Sequence, residues 1–448
     1  MTYSSELNRK IYFALPFFVR NIMASVYGSM QRASRYSKTY FEHLDFLKKS
    51  QYWTNDKLLE FSKHHADDFI VNSVLNSEFY SEDKYKWFKK GENISKLPLL
   101  SKDDLRNNLK KVYSSKLKSI KHRWSHTSGT TGKALVFPLS NDCFQKEYAF
   151  RAMHYLWGNI NLHGKDKVAF CSGHPVAHPD RNKPPFWIYD YSNNWLFLSS
   201  YHMTEDNLKS YVLELDNFMP LMLGGYPSSI YLIAKAYKKY GKGKLPLISI
   251  YCSSETLLDF QRREIEDAFQ AKVFNWYGTS EMCVNIVECE KGEMHLKYEH
   301  SYIEILDNSN KPCNPGEQGR VVCTAFANEA FPLIRYDIGD EVVISENQQS
   351  KCDKGGLLID SILGRVEDYI ITGDGRMVGR LDHIFKDSMN VKEAQIYQDK
   401  PGEIVLRIVK NNIFTKNDEN ALLNELFLRL GSNIKVALIP KVIMTLKG

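Results

Sequence analysis

Ser125-His126-Thr127-Ser128-Gly129-Thr130-Thr131-Gly132-Lys133, followed by the apolar run Ala134 to Phe137, packs hydroxyls, glycines and one lysine into a single short stretch. Such a stretch can wrap a polyphosphate. Gly129 and Gly132 let the backbone approach closely and adopt φ > 0. N–H groups and hydroxyls donate to phosphate oxygens, and the lysine adds a point charge. It is not a Walker A loop, which needs a glycine five residues before the Gly-Lys pair and Ser or Thr after the lysine. Those positions hold Thr127 and Ala134. Standing alone, the stretch reads equally as a Ser/Thr/Gly-rich linker between strands.

The chain on either side narrows the choice. Upstream, residues 1–95 read as a helical region packed on the domain that follows, with Leu58, Leu59, Phe61, Phe69, Ile70 and Val74 at helical spacing. Ser101 and Asp104 form a capping box ahead of Leu105 and Leu109. Downstream, apolar runs alternate with helices: Lys167 to Cys171, then Glu205 to Phe218; Leu221 to Leu223, then Ser228 to Tyr240; Leu247 to Tyr251, then Leu257 to Phe269; then Lys272 to Trp276. That alternation signifies βαβ units and a parallel sheet. Beyond Tyr277 the helices stop. Met294 to Leu306, Gly319 to Phe326 and Asp340 to Ser345 read as antiparallel strands of a β-barrel-like or sheet subdomain. A compact α+β unit follows, with a helix at Lys416 to Leu430 and a closing strand at Ile434 to Leu438. The expected organisation is an α/β protein with a helical region at 1–95, a large domain at 96–364 and a small mobile domain at 365–448.

Composition sets bounds. The 448 residues suffice for two or three domains, and 43% hydrophobic with 13% aromatic content describes a folded chain. The net charge of +6, from 59 basic and 53 acidic residues, is a mild excess without clustered basic stripes, so no nucleic-acid partner is expected. Eight cysteines are too dilute for a disulfide scaffold, and the N-terminus lacks the order of regions of a signal peptide. A cytoplasmic location follows. Ile11 to Tyr27 is apolar but interrupted by Pro16, Arg20 and Asn21, short of the ~20 apolar residues that a span requires. It reads as a packed helix, or as a peripheral contact at the inner membrane surface.

Further clusters lie at the C-terminal ends of the parallel strands, where open α/β sheets bind ligands: Gly224-Gly225-Tyr226-Pro227-Ser228, Ser253-Ser254-Glu255 and Tyr277-Gly278-Thr279-Ser280-Glu281. Arg335-Tyr336-Asp337-Ile338-Gly339-Asp340 joins the antiparallel part, and Gly364-Arg365-Val366-Glu367-Asp368 stands at the domain boundary. Together and in this order, these motifs resemble those of the adenylate-forming enzymes, from about residue 95 to the end. Within that superfamily the chain looks most like the phenylacetate–CoA ligase branch and its CapK-like capsular polysaccharide biosynthesis subgroup. Tyr27-Gly28, Arg35-Tyr36 and the run from Asp382-His383-Ile384-Phe385-Lys386 to Ala394-Gln395-Ile396-Tyr397-Gln398 carry the last resemblance.

The resemblance implies roles. Residues Thr127, Ser128, Gly129, Thr130, Thr131, Gly132 and Lys133 would hold the β- and γ-phosphates of ATP. Glu281 would ligate Mg²⁺, a hard cation that takes oxygen ligands. Asp340 would accept the ribose hydroxyls, Tyr277, Gly278 and Thr279 would line the adenine and acyl sites, Ser253, Ser254 and Glu255 would border the adenine, and Arg365 would contact ribose or phosphate. The acyl pocket would lie near Gly173-His174-Pro175, Gly225, Tyr226, Pro227 and Trp276. The superfamily carries a C-terminal lysine in a Gly-Lys pair; here Lys447 precedes Gly448 and is the candidate. Singly, each residue has a structural reading too: Glu281 as a helix N-terminal acid, Asp340 as a turn cap, Arg365 as a surface ion-pair partner, Trp276 as core and His174 as a structural histidine. The expected reaction activates a small-molecule carboxylic acid as acyl-AMP and passes it to CoA or another acceptor in surface-polysaccharide assembly. Alternatives are AMP transfer to an acceptor hydroxyl, and a non-catalytic nucleotide-binding assembly protein.

Separately, Cys252, Cys289, His295 and Cys323 fall near one another in the expected fold. A Cys₃His zinc site is chemically sound, while the absence of a C-x₂-C pair favours free cysteines buried as small hydrophobes.

Overall fold

The computed structural model describes residues 11–441 apart from 127–134, 164–165, 175, 179, 364–369, 379–380, 382–383, 385–389, 411–413 and 432, with the side chains of 377, 392–393, 428 and 441 also outside the description. Three helices open it: α1 (Phe17–Arg35), α2 (Lys38–Ser50) and α3 (Asn55–Asn76). A short helix α4 (Lys102–Asn107) follows. Ser101 caps it as its sequence predicts, its Oγ accepting from Asp104 N at 3.0 Å and donating to Asp104 Oδ2 at 2.6 Å.

α1 is amphipathic in reverse. Its buried residues are Arg20, Asn21, Ala24 and Gly28, whereas Phe18, Ile22, Val26 and Met30 face outward. The polar face meets the strand it covers and the loop before it: Tyr189 N donates to Asn21 Oδ1 at 3.1 Å and Arg20 Nη1 donates to Val176 O at 3.0 Å. Gly28 is required by contact, since a Cβ there would lie 1.9 Å from Asp190 Oδ2.

Next come the antiparallel ribbon β1 (His122–His126) and β2 (Val136–Ser140), whose connection 127–134 lies outside the described residues. Helix α5 (Asn141–Trp157) is capped by Ser140. The chain then lays down β3 (Val168–Ser172), β4 (Trp187–Asp190), β5 (Trp195–Ser199), α6 (Glu205–Phe218), β6 (Met222–Gly225), α7 (Pro227–Tyr240), β7 (Ser249–Ser253), α8 (Asp259–Phe269) and β8 (Lys272–Gly278). The alternation read from the sequence is present from β3 to β8. The hairpin β4–β5 is additional, turning at Asn194 with φ +56.

β8 is the pivot. It pairs in parallel with β7 and antiparallel with β9 (Asn285–Glu288), Tyr277 opposite Ile286. The antiparallel strands therefore continue the same sheet: β10 (Met294–Leu296), β11 (Ser301–Leu306), β12 (Gln318–Ala325), β13 (Leu333–Ile344) and β14 (Leu357–Leu363) complete 12 strands in the order β11-β12-β13-β14-β10-β9-β8-β7-β6-β3-β5-β4. One apolar cluster packs the antiparallel part against α3 and residues 79–112, and another packs α6, α7 and α8 on the parallel strands.

Arg335 joins these parts. It is 4% exposed and holds φ +46. Its guanidinium donates Nε to Glu304 Oε2 at 2.9 Å and Nη2 to Glu304 Oε1 at 3.0 Å, while Nη1 donates to the carbonyls of Ser95 and Leu97. The backbone adds Leu100 N to Arg335 O at 2.9 Å and Asp337 N to Leu100 O at 3.0 Å.

The C-terminal unit has a small hairpin of β15 (Ile370–Ile371) and β16 (Met377–Val378), a sheet of β17 (Val391–Lys400), β18 (Glu403–Lys410) and β19 (Lys435–Lys441), and helix α9 (Lys416–Leu430). β19 runs parallel to β18, so α9 makes the crossover between them.

Two stability measurements test these contacts. Glu304→Ala leaves a buried guanidinium without its carboxylate and is expected to lower the unfolding free energy by about 3–5 kcal/mol. Lys38→Ala, which breaks an exposed pair with Glu42, is expected to change it by less than ~1 kcal/mol in the same urea titration. On α6, burial pushes the Glu214 carboxyl from its ordinary 4.5 up to about 7. The folded state then holds a proton that the unfolded state has lost, so this group favours folding below pH 4.5 and that contribution disappears as pH rises towards 7. Glu214→Gln should flatten the fall in stability across that window, as read by denaturant midpoints at each end.

Candidate functional site

The site is built along one edge of the sheet. Registers Cys171↔Gly225, Gly225↔Cys252 and Ser253↔Trp276 bring the ends of β3, β6, β7 and β8 side by side. The loops Gly173-His174, Gly225-Tyr226-Pro227, Ser253-Ser254-Glu255 and Tyr277 to Glu281 therefore share the C-terminal edge of the parallel strands, the position where such sheets bind ligands. Gly225 is dictated by crowding. Its φ is +153, and a Cβ would meet Cys171 O at 1.9 Å. Pro227 opens α7 at its first turn, where a missing N–H costs nothing.

At the first loop, a Cβ on Gly173 would lie 2.8 Å from Tyr226 Oη and 2.9 Å from Tyr201 Oη, so two phenols converge on this backbone. Tyr201 Oη donates to Gly173 O at 3.1 Å. His174 is exposed beside them, its ring edge-on to Phe197. At the third loop, Ser254 sits at φ +72 and the Glu255 carboxylate accepts from Ser228 N at 3.2 Å. Glu255 thus caps the start of α7, where the helix dipole favours a negative charge.

The last loop meets the antiparallel half. Tyr277 Oη donates to Asp340 Oδ2 at 2.6 Å. Burial, with Asp340 second, pushes the Tyr277 phenol upward, which keeps it a donor. Thr279 shapes the turn that follows: its carbonyl accepts from Met282 N at 3.0 Å and its Oγ1 from Cys283 N at 3.2 Å. That turn directs Glu281 inward, where it is 8% exposed. Tyr336 Oη donates to Glu281 Oε1 at 3.2 Å. Burial holds the Glu281 carboxyl above its ordinary range, and Lys102 and Tyr336 pull it the other way. Lys102 Nζ lies 3.3 Å from where a Cβ on Gly339 would stand, one residue before Asp340. Two carboxylates, two phenols and an ammonium thus gather at this end of β8.

Trp276 is fixed from behind. Its Nε1 donates to Asn285 Oδ1 at 3.0 Å, and Arg151 stacks 4.6 Å from its ring. Asn285 Nδ2 in turn donates to Glu147 Oε2 at 3.0 Å. Gly278 leaves the tryptophan room, since a Cβ would come within 3.2 Å of Nε1.

The C-terminal unit touches the same edge. Arg376 donates Nη1 to Tyr201 O and Nη2 to Leu430 O at 2.7 Å, with Asp374 2.8 Å from its Nε. The Tyr201 side chain packs into the apolar cluster of that unit.

Not every expected residue can be placed. Thr127 to Lys133, Arg365 and Lys447 lie outside the described residues. The expected cysteine set needs correction. Cys252 is buried among the apolar residues of β7 and α8, and Cys323 is buried with Cys283 in the other large cluster. Both point into cores that the sheet keeps apart from Cys289. Cys289 and His295 do come together, across a turn at Gly292 with φ +81, but their neighbours are Glu293 and Cys352. Lys102 and Tyr336 are additions to the carboxylate cluster. Tyr336 lies inside a quoted motif, whereas nothing local marks Lys102 among 59 basic residues.

The fold is that of the adenylate-forming CoA ligases. A solved 2-hydroxyisobutyryl-CoA ligase in the postadenylation state with R3-HIB-AMP superposes with a TM-score of 0.56 at 15% identity, covering 89% of each chain. The same enzyme with 2-HIB-AMP and CoA in the thioesterification state gives 0.54 at 17% identity over 88% of each chain. In sequence, phenylacetate-coenzyme A ligase of Thermus thermophilus is 24% identical over 297 residues, 64% of either chain. Within that class the chain belongs to the CapK family: Protein CapK of Staphylococcus aureus is 30% identical over 435 residues, 94% of this chain and 93% of the relative. The CapK C-terminal domain matches residues 370–440.

The crowding at Gly225 is directly testable. Gly225→Ala forces a methyl into a backbone carbonyl and is expected to destabilise the fold by about 2 kcal/mol or more. Gly243→Ala, with nothing within 4 Å of its Cβ position, should leave the urea midpoint nearly unchanged.

Proposed function

We propose that this protein is an ATP-dependent adenylating ligase that activates a carboxylic acid as acyl-AMP. The observation that carries the proposal is the joining of Glu281, Asp340, Tyr277 and Lys102 where the parallel and antiparallel halves of the sheet meet. An oxygen of the substrate carboxylate attacks the α-phosphorus of ATP. The new C–O–P linkage forms as the bond to pyrophosphate breaks. In this reading Thr127 to Lys133 hold the departing pyrophosphate, Asp340 accepts the ribose hydroxyls, and Arg365 contacts ribose or phosphate. Ser253 and Ser254 border the adenine, while His174, Tyr226 and Trp276 line the acyl side. Mg²⁺ fits the donor set, since a hard cation takes carboxylate and phosphate oxygens. Glu281 would hold it, and its contribution would be charge neutralisation. The chain's own part is positioning and electrostatic stabilisation.

The acyl group then passes to an acceptor, with AMP leaving. Likeness to CoA ligases supports CoA as that acceptor, and the CapK family supports a role in surface-polysaccharide assembly. No helix among the described residues is long and apolar enough to cross a membrane. The outward apolar stripe of α1 supports peripheral attachment at the inner membrane surface.

ATP–pyrophosphate exchange over a panel of aromatic, fatty and hydroxy acids tests the reading. Exchange that depends on one class of acid is expected, together with loss of ATP binding in Asp340→Ala. ATP bound but no exchange with any acid would instead identify a non-catalytic nucleotide-binding protein.

A further inference from the structure

Away from the ligand edge, the turn between β9 and β10 meets the loop that enters β14. Cys289 and Glu293 come from the first, His295 from the adjoining strand β10, and Cys352 from the second. One ligand atom from each lies within 4.8 Å of the others. We propose that these four residues form a structural zinc site, independent of the ligase reading.

The distances suit the ion. Zinc bound tetrahedrally to sulfur at ~2.3 Å and nitrogen at ~2.05 Å sets its sulfur and nitrogen ligands about 3.6 Å apart. Cys352 Sγ lies 3.4 Å from His295 Nε2. Two thiols, an imidazole and a carboxylate form a donor set that favours zinc over magnesium or calcium, which take oxygen ligands.

The ligands are also held in place. Lys291 N donates to Cys289 Sγ at 3.3 Å, and Lys354 N donates to Cys352 Sγ at 3.4 Å. Each cysteine thus receives the N–H of the residue two further on, which orients its sulfur. Ser350 Oγ lies 3.2 Å from Cys352 Sγ and donates to Glu293 Oε2 at 2.8 Å, and Lys351 N donates to the same oxygen at 2.9 Å. Such outer hydrogen bonds orient metal ligands. His295 is fully buried and turns its Nε2 toward Cys352 Sγ.

Four protein ligands close the coordination sphere, which marks a structural ion. What it would fasten is specific. The loop that carries Cys352 continues to Gly355, whose N–H donates to Gln51 O at 2.7 Å and whose carbonyl accepts from Lys297 Nζ at 3.0 Å. The ion would tie the β9–β10 turn to the segment on which the α2–α3 junction rests.

Elemental analysis of full-length protein purified under reducing conditions without added metal should find about one zinc per chain, with two sulfur ligands by X-ray absorption. Cys352→Ser should lower zinc content at least ~10-fold, while Cys313→Ser retains it. Should Cys352→Ser fail to fold, cobalt substitution of the unaltered chain supplies the test, with thiolate-to-metal charge-transfer absorption expected. Metal-free protein, zinc content unchanged in Cys352→Ser, cobalt bound without that absorption, or a Cys289–Cys352 disulfide in unreduced protein would each overturn the proposal.

Discussion

A single buried guanidinium decides where the N-terminal third of the chain meets the rest. Arg335 cannot be left unpaired at that depth, because an uncompensated buried charge costs about 3–5 kcal/mol. Glu304 on β11 takes two of its donors and the carbonyls of Ser95 and Leu97 take another. Satisfying one side chain therefore fixes segment 95–100 against β13. Lys102 lies two residues beyond that segment, and Asp340 lies five residues beyond Arg335 on the same strand. The arginine touches neither, yet its hydrogen bonds set the frame in which the ammonium reaches the carboxylate cluster.

The sheet imposes the second constraint. Parallel strands present their C-terminal ends together, and loops there inherit a common edge whatever their sequence. Antiparallel strands have no such edge. By changing from parallel to antiparallel pairing at β8, the chain sets Tyr277 and Glu281 at the last parallel end and brings Tyr336 and Asp340 to them from β13. Residues 63 and 55 positions apart thus meet without a dedicated loop. The cluster is partly desolvated, which strengthens its electrostatics.

Much of this was legible in the chain because its signals are local. The Ser101–Asp104 cap, the alternation from β3 to β8 and helix α9 are written within a few residues of where they act. The β4–β5 hairpin left a weaker mark: its turn residues stand between aromatic runs that also suit a packed loop. Lys102 left none, since its role comes from the neighbourhood Arg335 creates. Nor did spacing identify the partners of Cys289 and His295. Cys352 stands 57 residues from His295, and only the pairing of β10 with β14 brings it near. The expected fold pointed instead to Cys252 and Cys323, which the same sheet turns into its cores.

Arg376 has a consequence for how firmly the two ends of the chain hold together. Of its hydrogen-bonding partners among the described residues, Asp374 and Leu430 belong to its own unit, and the Tyr201 carbonyl lies across the junction. Withdrawing the unit leaves that guanidinium still largely satisfied. Further resistance comes from Tyr201, whose ring would pass from an apolar cluster into water and whose hydroxyl, bound to Gly173, would give up its interaction with Arg429. One residue thus gathers the ring, carbonyl and hydroxyl contacts of the junction, and it is anchored to the same loop that carries His174, so parting the two units would tug directly on that loop.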